Sequence, residues 1–219
     1  MKIYSYVLKI DDGAAPNPFG GVCTLTICKP KIRKLSSVGD WVIGTGSKNA
    51  KLSDGSTQDF SNCLVYAMKI SEKKYLKKYD EWCNENMQIK IPKFNSKNMI
   101  DQRGDCIYDF SDFPPKLRQS VHTEKNRKTD TSGKYSLLST HFYYFGEKPI
   151  IIPNELKCII KQNRGHLVKN DKNEPEIVNR FLEWINKYPI NICNAPQLKE
   201  LITNDNDYRC YFNDDFDDE

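Results

Sequence analysis

The sequence has few of the features that mark the common catalytic and membrane-bound classes of protein. It contains no run of 18 apolar residues of the kind that a membrane span requires. It has no Gly-x-x-x-x-Gly-Lys-Ser/Thr phosphate loop, no Gly-x-Gly-x-x-Gly dinucleotide turn and no Gly-x-Ser-x-Gly nucleophile elbow. These absences disfavour the standard nucleotide-hydrolysing, dinucleotide-dependent and α/β-hydrolase designs. We therefore expect no membrane partner and no cofactor.

Histidine is scarce and cysteine is scattered. The three histidines, His122, His141 and His166, form no i, i+4 pair, and the zinc-deaminase combination of H-x-E with a later P-C-x-x-C is missing. No two of the eight cysteines are spaced C-x-x-C, so no metal site is expected. The first residues, MKIYSYVLKIDDG, lack a small-residue cleavage site and predict a first strand instead of a signal peptide. The expected location is the cytoplasm, with reduced thiols.

Negative charge is concentrated at the C-terminal end. The net charge is +4, but residues 214–219 contain five acids and no base. The rest of the chain has 33 basic and 24 acidic residues, and bases cluster at 29–34, 69–78 and 116–128. A positive body attracts phosphate, although Lys-rich surfaces are also common as plain solvated faces. The acidic tail is interpreted either as a solubilising segment or as a competitor of nucleic acid for the basic face.

Hydrophobic periodicity predicts a mixed α+β fold. Alternation and short apolar runs predict strands, a basic connector is read as a helical turn, and two amphipathic patterns predict helices. The first helix is expected to begin after an N-cap at Ser71, and Pro175 is expected in the first turn of the second. We expect a strongly curved mixed sheet or a small barrel with packed helices. The predicted organisation is a single domain over 1–190 with an irregular insertion at about 88–134, followed by a C-terminal extension over 191–219.

Two glycine-rich stretches are the first candidate ligand contacts. In APNPFGG (15–21), prolines hold Asn17, whose amide offers a donor and an acceptor suited to a base edge. In GTGSK, which follows Trp41 on an apolar strand, glycines flank Thr45 and expose backbone N–H groups suited to a phosphate. The structural alternative for the first stretch is a rigid loop in which Asn17 caps its own backbone, and for the second it is a tight turn. The candidate ligand contacts in the second stretch are Trp41, Thr45, Gly46, Ser47 and Lys48.

An aromatic strand and a polar loop supply further candidates. HFYYFG (141–146) sends Tyr144 to one side of a strand, where an aromatic face either stacks a base or belongs to the core. In NRGHLVK (163–169), Arg164 is suited to bidentate phosphate contact and His166 can titrate near neutral pH. The basic connector adds three candidate phosphate contacts: Lys29, Lys31 and Arg33.

Together, these stretches resemble the nucleotide modification associated domain family of the second type. The most specific pieces are APNPFGGVCTLTICKP and VGDWVIGTGS, supported by LVYAMKI, GDCIYDF, HFYYFG and NRGH, and the likeness extends to about residue 185. The resemblance implies an association with modified DNA bases in bacteria and phages. The order of strands also resembles the PUA-like fold, especially its EVE-type branch. That likeness implies a curved barrel with an aromatic-lined pocket for one base, with residues 44–48 at its mouth and Asn17 nearby.

Three functions are consistent with the sequence. The first is a binding module for nucleic acid, DNA more than RNA, or for a nucleotide, with a modified base in a pocket. The second is an enzyme without a metal, acting on a modified base or a free nucleotide. In this enzyme His166 or His122 is the acid or base, Asp40 or Asp105 orients it, and Lys29 or Arg164 stabilises developing charge. The third is a protein-interaction module of a phage-defence or modification system.

Overall fold

A computed structural model describes residues 1–201 of the 219-residue chain. The acidic tail predicted at 214–219 lies outside the described residues. The described part contains thirteen strands, five α-helices and four short 3-10 helices. In chain order, the strands and α-helices are β1 Lys2–Leu8, β2 Cys23–Leu25, α1 Pro30–Leu35, β3 Trp41–Gly46, β4 Ala50–Lys51, β5 Thr57–Gln58, β6 Cys63–Lys69, β7 Glu72–Tyr75, α2 Leu76–Asn86, α3 Met99–Gln102, β8 Tyr108–Asp109, β9 Lys116–Leu117, α4 Arg127–Ser132, β10 Tyr135–Ser139, β11 His141–Tyr144, β12 Ile150–Ile151, β13 Leu167–Asn170 and α5 Pro175–Ile185. The 3-10 helices are Phe19–Gly21, Gln88–Lys90, Glu124–Asn126 and Asn154–Ile159.

The main sheet has the order β11-β6-β3-β1-β13, and β12 also pairs with β6. β1 and β3 run parallel, whereas the other pairs in this sheet are antiparallel. The parallel pair is possible because β2 and α1 provide the crossover between them. β3 is therefore a central strand, and each of its six residues is buried. The predicted mixed α+β class is confirmed.

Two cores lie on opposite faces of the main sheet. On one face, Trp41 and Ile43 of β3 pack with Phe181 and Trp184 of α5. On the other face, Tyr6 of β1 and its neighbours pack against β2 and α1. Alternating residues of each strand enter different cores, as the two-residue period of a strand requires. Burying each large apolar side chain contributes about 1.5–3 kcal/mol, so both cores hold the sheet in place.

A second sheet of three strands has the order β2-β10-β7 and is fully antiparallel. Within residues 1–201 the strands form separate sheets and hairpins and do not close into a barrel. The barrel alternative is therefore wrong, and the described residues form a mixed sheet that is not closed. The helix pattern after Ser71 begins later than predicted, at Leu76. Residues 72–75 instead form β7, because β10 offers them an antiparallel partner.

The predicted insertion is mostly irregular, but hydrogen bonds from Lys90 and to the Arg103 carbonyl attach it to Asn17. It contains the short hairpin β8–β9 together with α3, α4 and two 3-10 helices. α5 begins with Pro175 in its first turn, as predicted. No helix within residues 1–201 has both the length and the apolar character that crossing a bilayer requires.

Candidate functional site

A cavity of about 340 Å³ opens between the C-terminal end of β1, the residue that precedes α1 and the turn that precedes β13. We call it the basic cavity. Antiparallel pairing of β13 with β1 places this turn beside the end of β1. Among the described residues that line the basic cavity, three are cationic, two carry amides and none is acidic. They are Val7, Lys9, Lys29, Gln162, Asn163, Arg164 and Gly165.

The Lys29 side chain is held over an aromatic ring. Its Nζ lies 4.9 Å from the centroid of the Tyr6 ring, close enough for a cation–π interaction. Tyr6 is itself fixed, because its buried hydroxyl accepts a hydrogen bond of 2.8 Å from the Tyr66 hydroxyl. Lys29 also has a left-handed backbone conformation, with φ of 43°, immediately before α1. The charge of Lys29 is thus positioned at the cavity by the core beneath it.

Arg164 and His166 lie on the same turn, on either side of Gly165. Gly165 has φ of +81°, which turns the chain sharply between them. Arg164 is exposed and lines the basic cavity, whereas His166 is half-buried with its ring 5.9 Å from that of Tyr4. The structure therefore brings together two residues singled out from the sequence, Lys29 and Arg164. It places His166 beside them but outside the described cavity lining.

In the stretch 44–48, the two glycines are packed closely against neighbouring chain segments. A Cβ atom on Gly44 would lie 2.4 Å from the ring of Tyr66, and one on Gly46 would lie 2.4 Å from the Phe60 carbonyl oxygen. Gly44 and Gly46 therefore permit close packing of neighbouring chain segments. Thr45 is fully buried and donates to the carbonyl of Tyr6 over 3.3 Å. In this stretch Ser47 is half-buried and Lys48 is exposed.

Trp41 and Tyr144 are core residues. The Trp41 ring packs edge-on against Phe181 at 5.4 Å and is 1% exposed. Tyr144 is fully buried, and its hydroxyl donates to a carboxylate oxygen of Asp11. Burial raises the pKa of Asp11 to about 6, although hydrogen bonds from Tyr144 and the Gln197 N–H oppose this change. The alternation predicted for HFYYFG is confirmed, but both of its faces enter the protein interior.

Asn17 lies in a buried polar cluster instead of a pocket. Its Nδ2 donates to the Arg103 carbonyl over 2.7 Å, and its Oδ1 accepts from Nζ of Lys90 over 2.6 Å. Lys90 also donates to the carbonyls of Asn17 and Val22. The pKa of Lys90 is lowered because the side chain is buried, and the nearby carboxylate of Asp105 partly opposes this change. The side-chain amide of Asn17, which was expected to hydrogen-bond to a base, thus forms its hydrogen bonds within the protein.

Asp105 belongs to the same cluster. It accepts hydrogen bonds of 2.6 Å from the Tyr79 hydroxyl and 2.7 Å from the Thr24 hydroxyl. Burial raises the pKa of Asp105, and the charge of Lys90 opposes that rise. Asp105 therefore does not orient a histidine, contrary to the role considered for it. Asp40 is likewise engaged by backbone N–H groups of Lys2 and Ser37, at 2.7 and 3.0 Å.

Arg33 and Lys31 lie on α1, but they occupy different environments. Arg33 is fully buried, and its guanidinium donates to the carbonyls of Cys28, Asp130 and Tyr135 over 2.6–2.8 Å. These bonds join α1 to the start of β10, so Arg33 is a structural cation instead of a phosphate contact. Lys31 is half-buried on the same helix.

His122 forms a buried pair with Asp130. Its Nδ1 lies 2.5 Å from Oδ2 of Asp130, which also accepts from the Tyr108 hydroxyl over 3.0 Å. The Cys28 sulfur lies 3.5 Å from the other ring nitrogen of His122, so three residue types that ligate metals meet here. Six of the seven described cysteines are free, whereas the sulfur of Cys28 is disulfide-bonded and therefore offers no thiolate to a metal. Burial tends to raise the pKa of Asp130, but the charge and hydrogen bond of His122 lower it overall.

Lys9, Gln162 and Asn163 line the basic cavity, although sequence analysis did not single them out. Gln162 and Asn163 directly precede the chosen Arg164: Asn163 is the first residue of the motif NRGHLVK, and extending the motif by one residue would have included Gln162. Lys9 carries no comparable signal. Its place at the cavity depends on the pairing of β1 with β13, which lies far along the chain.

Comparison with known protein families gives one clear relationship. The family model described as nucleotide modification associated domain 2 matches residues 1–204 of the 219-residue chain. Comparison with curated proteins and with solved structures gives no match. The match spans all the elements that build the basic cavity, and the chain therefore belongs to the nucleotide modification associated domain 2 family.

Proposed function

We propose that this protein binds the phosphate groups of a nucleotide or a nucleic-acid strand in the basic cavity. The observation that carries the proposal is the convergence of Lys9, Lys29 and Arg164 on one cavity with no acidic residue among its described lining. The positive potential of three cations that line one cavity attracts an anion. The association of the family with nucleotide modification supports a nucleotide as the source of the anion.

The chemistry of the lining fits a phosphate. The Arg164 guanidinium presents paired N–H donors that match two phosphate oxygens, whereas Lys9 and Lys29 act as point charges. The side-chain amides of Gln162 and Asn163 add neutral donors at the same rim. A cavity of about 340 Å³ is at the small end of ligand sites, which suits one nucleotide unit better than a larger cofactor.

The finer form of the proposal is that the natural partner is DNA carrying a modified base. The family relationship supports a partner connected with nucleotide modification, and the choice of DNA over RNA is part of the proposal. The residues of β3 and Tyr144 are buried in the core. We therefore expect the base to be recognised near the basic cavity, where the half-buried His166 ring lies beside Tyr4. His166 is thus proposed as a neighbour of the base and not as a catalytic acid.

The test is the affinity for plain DNA, modified DNA, RNA and free thymidine monophosphate, measured by fluorescence polarisation or calorimetry at two salt concentrations. We expect affinity to fall steeply between about 50 and 200 mM salt, because phosphate contacts release counterions. The double variant Lys29→Gln/Arg164→Gln should bind at least roughly tenfold more weakly and show a shallower salt slope. Lys148→Gln is the matched control, because Lys148 is exposed just after β11, at the opposite edge of the main sheet from β13.

Two results would contradict the proposal. One is the absence of measurable binding to every nucleotide and nucleic acid in the panel. The other is binding that the double variant leaves unchanged, because the phosphate would then be bound somewhere else. Equal affinity for modified and plain DNA would remove the finer form alone and leave phosphate binding in place.

A further inference from the structure

A second concave surface lies between the start of α2, α4 and the loop that precedes β9. We call it the aromatic groove and define it by Tyr75, Phe110 and Phe113 together with Lys77, Arg127 and Lys134. Its volume is about 500 Å³. None of these residues belongs to the basic cavity. The sequence analysis did not single out any of them individually.

The rings of the aromatic groove are unusually exposed. Phe113 is 98% exposed and Tyr75 is 60% exposed, whereas Tyr4, Tyr6 and Trp41 are at most 2% exposed. Most large aromatic side chains of this fold are buried in its cores. Neighbouring rings that stay exposed to water therefore indicate a surface that contacts another molecule. Exposed flat rings are surfaces on which another flat ring can stack.

Tyr75 is held in position before any ligand arrives. Its ring centroid lies 4.6 Å from that of Tyr135, with the planes 35° apart, and the Tyr135 hydroxyl donates to the Tyr75 hydroxyl over 3.2 Å. The Nζ of Lys73 lies 4.3 Å from the Tyr135 centroid on the same strand pair. A ring that is already ordered loses little conformational entropy on binding, so stacking on Tyr75 carries a small ordering cost.

The charge around the groove is positive. Lys77 and Lys134 line it, and the Arg127 guanidinium pairs with Glu124 over 2.5 and 2.6 Å while also donating to the Pro115 carbonyl over 2.5 Å. Arg127 thus fixes the loop that carries Phe113, while the two lysines supply the net charge. Aromatic faces bordered by cations are what a single nucleic-acid strand requires, because bases stack and phosphates pair with ammonium groups.

We propose that the aromatic groove binds a base of a single-stranded nucleic acid by stacking it on Phe113 and Tyr75. This inference rests on the proposed function, since the same strand would place a phosphate in the basic cavity. α1 connects the two surfaces: it begins directly after Lys29 and packs against α4. α1 has six residues and is about 9 Å long, and it carries Lys31 and the exposed Lys34.

The experiment compares three probes: single-stranded oligothymidylate, an abasic oligonucleotide of equal length, and thymidine monophosphate. We expect Phe113→Ala and Tyr75→Ala each to weaken oligothymidylate binding by roughly tenfold, because each stacked base contributes about 1–3 kcal/mol. Binding of the abasic strand and of the mononucleotide should not change. Phe113→Trp should keep the affinity, and its indole fluorescence should be quenched by oligothymidylate. Ile151→Ala is the control, since Ile151 is 76% exposed on β12.

Each outcome is decisive. If the wild-type protein binds the abasic strand as tightly as oligothymidylate, or if Phe113→Ala changes nothing, stacking in the groove is wrong. In that case an effect of Lys29→Gln/Arg164→Gln would still support phosphate binding in the basic cavity. If no probe binds, the groove proposal fails, and phosphate binding in the basic cavity fails as well only if RNA and modified DNA also do not bind. If the groove instead binds aromatic or proline-rich peptides and excludes oligothymidylate, it is a peptide site and the inference is overturned.

Discussion

Nζ of Lys90 donates a hydrogen bond to Oδ1 of Asn17 over 2.6 Å, and both side chains are buried. The pair connects the loop after β1 to the 3-10 helix at Gln88–Lys90, so it holds the predicted insertion against the main domain. A buried ammonium group is stable only when its donors are satisfied. Asn17 is therefore a structural partner of a buried charge, although the amide chemistry that marks it in the sequence is the same that a base contact would use.

The first prediction separates these two roles of Asn17. Asn17→Ala should lower the free energy of unfolding by about 2–4 kcal/mol, because the buried Lys90 ammonium loses an acceptor. The folded variant should bind thymidine monophosphate as tightly as the wild type. Urea denaturation and a binding titration measure the two quantities, with the exposed Asn49→Ala as control. A variant of normal stability that has lost binding would restore Asn17 as a ligand contact.

Gly46 provides a second prediction. Gly46→Ala should destabilise the protein by roughly 1–3 kcal/mol or more, because the added Cβ would lie 2.4 Å from the Phe60 carbonyl oxygen, which is backbone and cannot rotate away. Ser47→Ala, one residue further along, should change stability by less than about 0.5 kcal/mol. Thermal or chemical denaturation of both variants measures the difference in stability. Equal stability of the two variants would show that the chain has space at Gly46 after all.

Strong local patterns predict much of the fold but little of the site. The helix α5 follows from a period of 3.6 residues, β1 from alternation, and β3 and β6 from short apolar runs, and these signals depend on neighbouring residues alone. The basic cavity depends on pairing β1 with β13 and on the crossover to α1, and these long-range contacts leave no local signal. A Gly-rich stretch is also ambiguous, since glycine suits both a ligand approach and the close packing of Tyr66 against Gly44.

The third prediction concerns pH and Asp11. Its folded pKa is about 6 against an ordinary 3.8, chiefly because it is buried, so the folded state holds this proton more tightly than the unfolded state. The contribution to stability is full below pH 3.8 and is lost as the pH rises through about 6. The stability of the wild type relative to Asp11→Asn should therefore fall by roughly 3 kcal/mol between the two pKa values.

Urea titrations of both proteins at several pH values from acid to neutral measure this difference. Asp54→Asn is a suitable control, because Asp54 is an exposed carboxylate whose pKa is lowered, chiefly by the Ser56 side chain. A difference between wild type and Asp11→Asn that does not vary with pH would show that Asp11 titrates normally. If the wild type instead became more stable relative to Asp11→Asn as the pH rises, the sign would be reversed and Asp11 would be stabilised as a carboxylate.

Arg164 is the subject of the fourth prediction, which separates charge from geometry at the basic cavity. Arg164→Lys keeps the positive charge but loses the paired donors, so affinity should fall severalfold while the salt slope is unchanged. Arg164→Gln removes the charge and should also reduce the slope by about one. Binding to single-stranded DNA over a range of salt concentrations measures both effects. If Arg164→Lys bound as tightly as the wild type, the paired donors of Arg164 would not contact phosphate.

The fifth prediction concerns the acidic tail, which lies outside the described residues and is argued from charge alone. Removing residues 214–219 deletes five acidic groups and raises the net charge from +4 to +9. If the tail competes with phosphate, the shortened protein should bind DNA several times more tightly at low salt, and the gain should shrink as salt screens the charges. A variant with the five acids replaced by Asn and Gln keeps the length and isolates their charge. An affinity that is the same for all three proteins at low salt would leave the tail without a part in binding. A gain that persists at high salt would point to a contact other than charge.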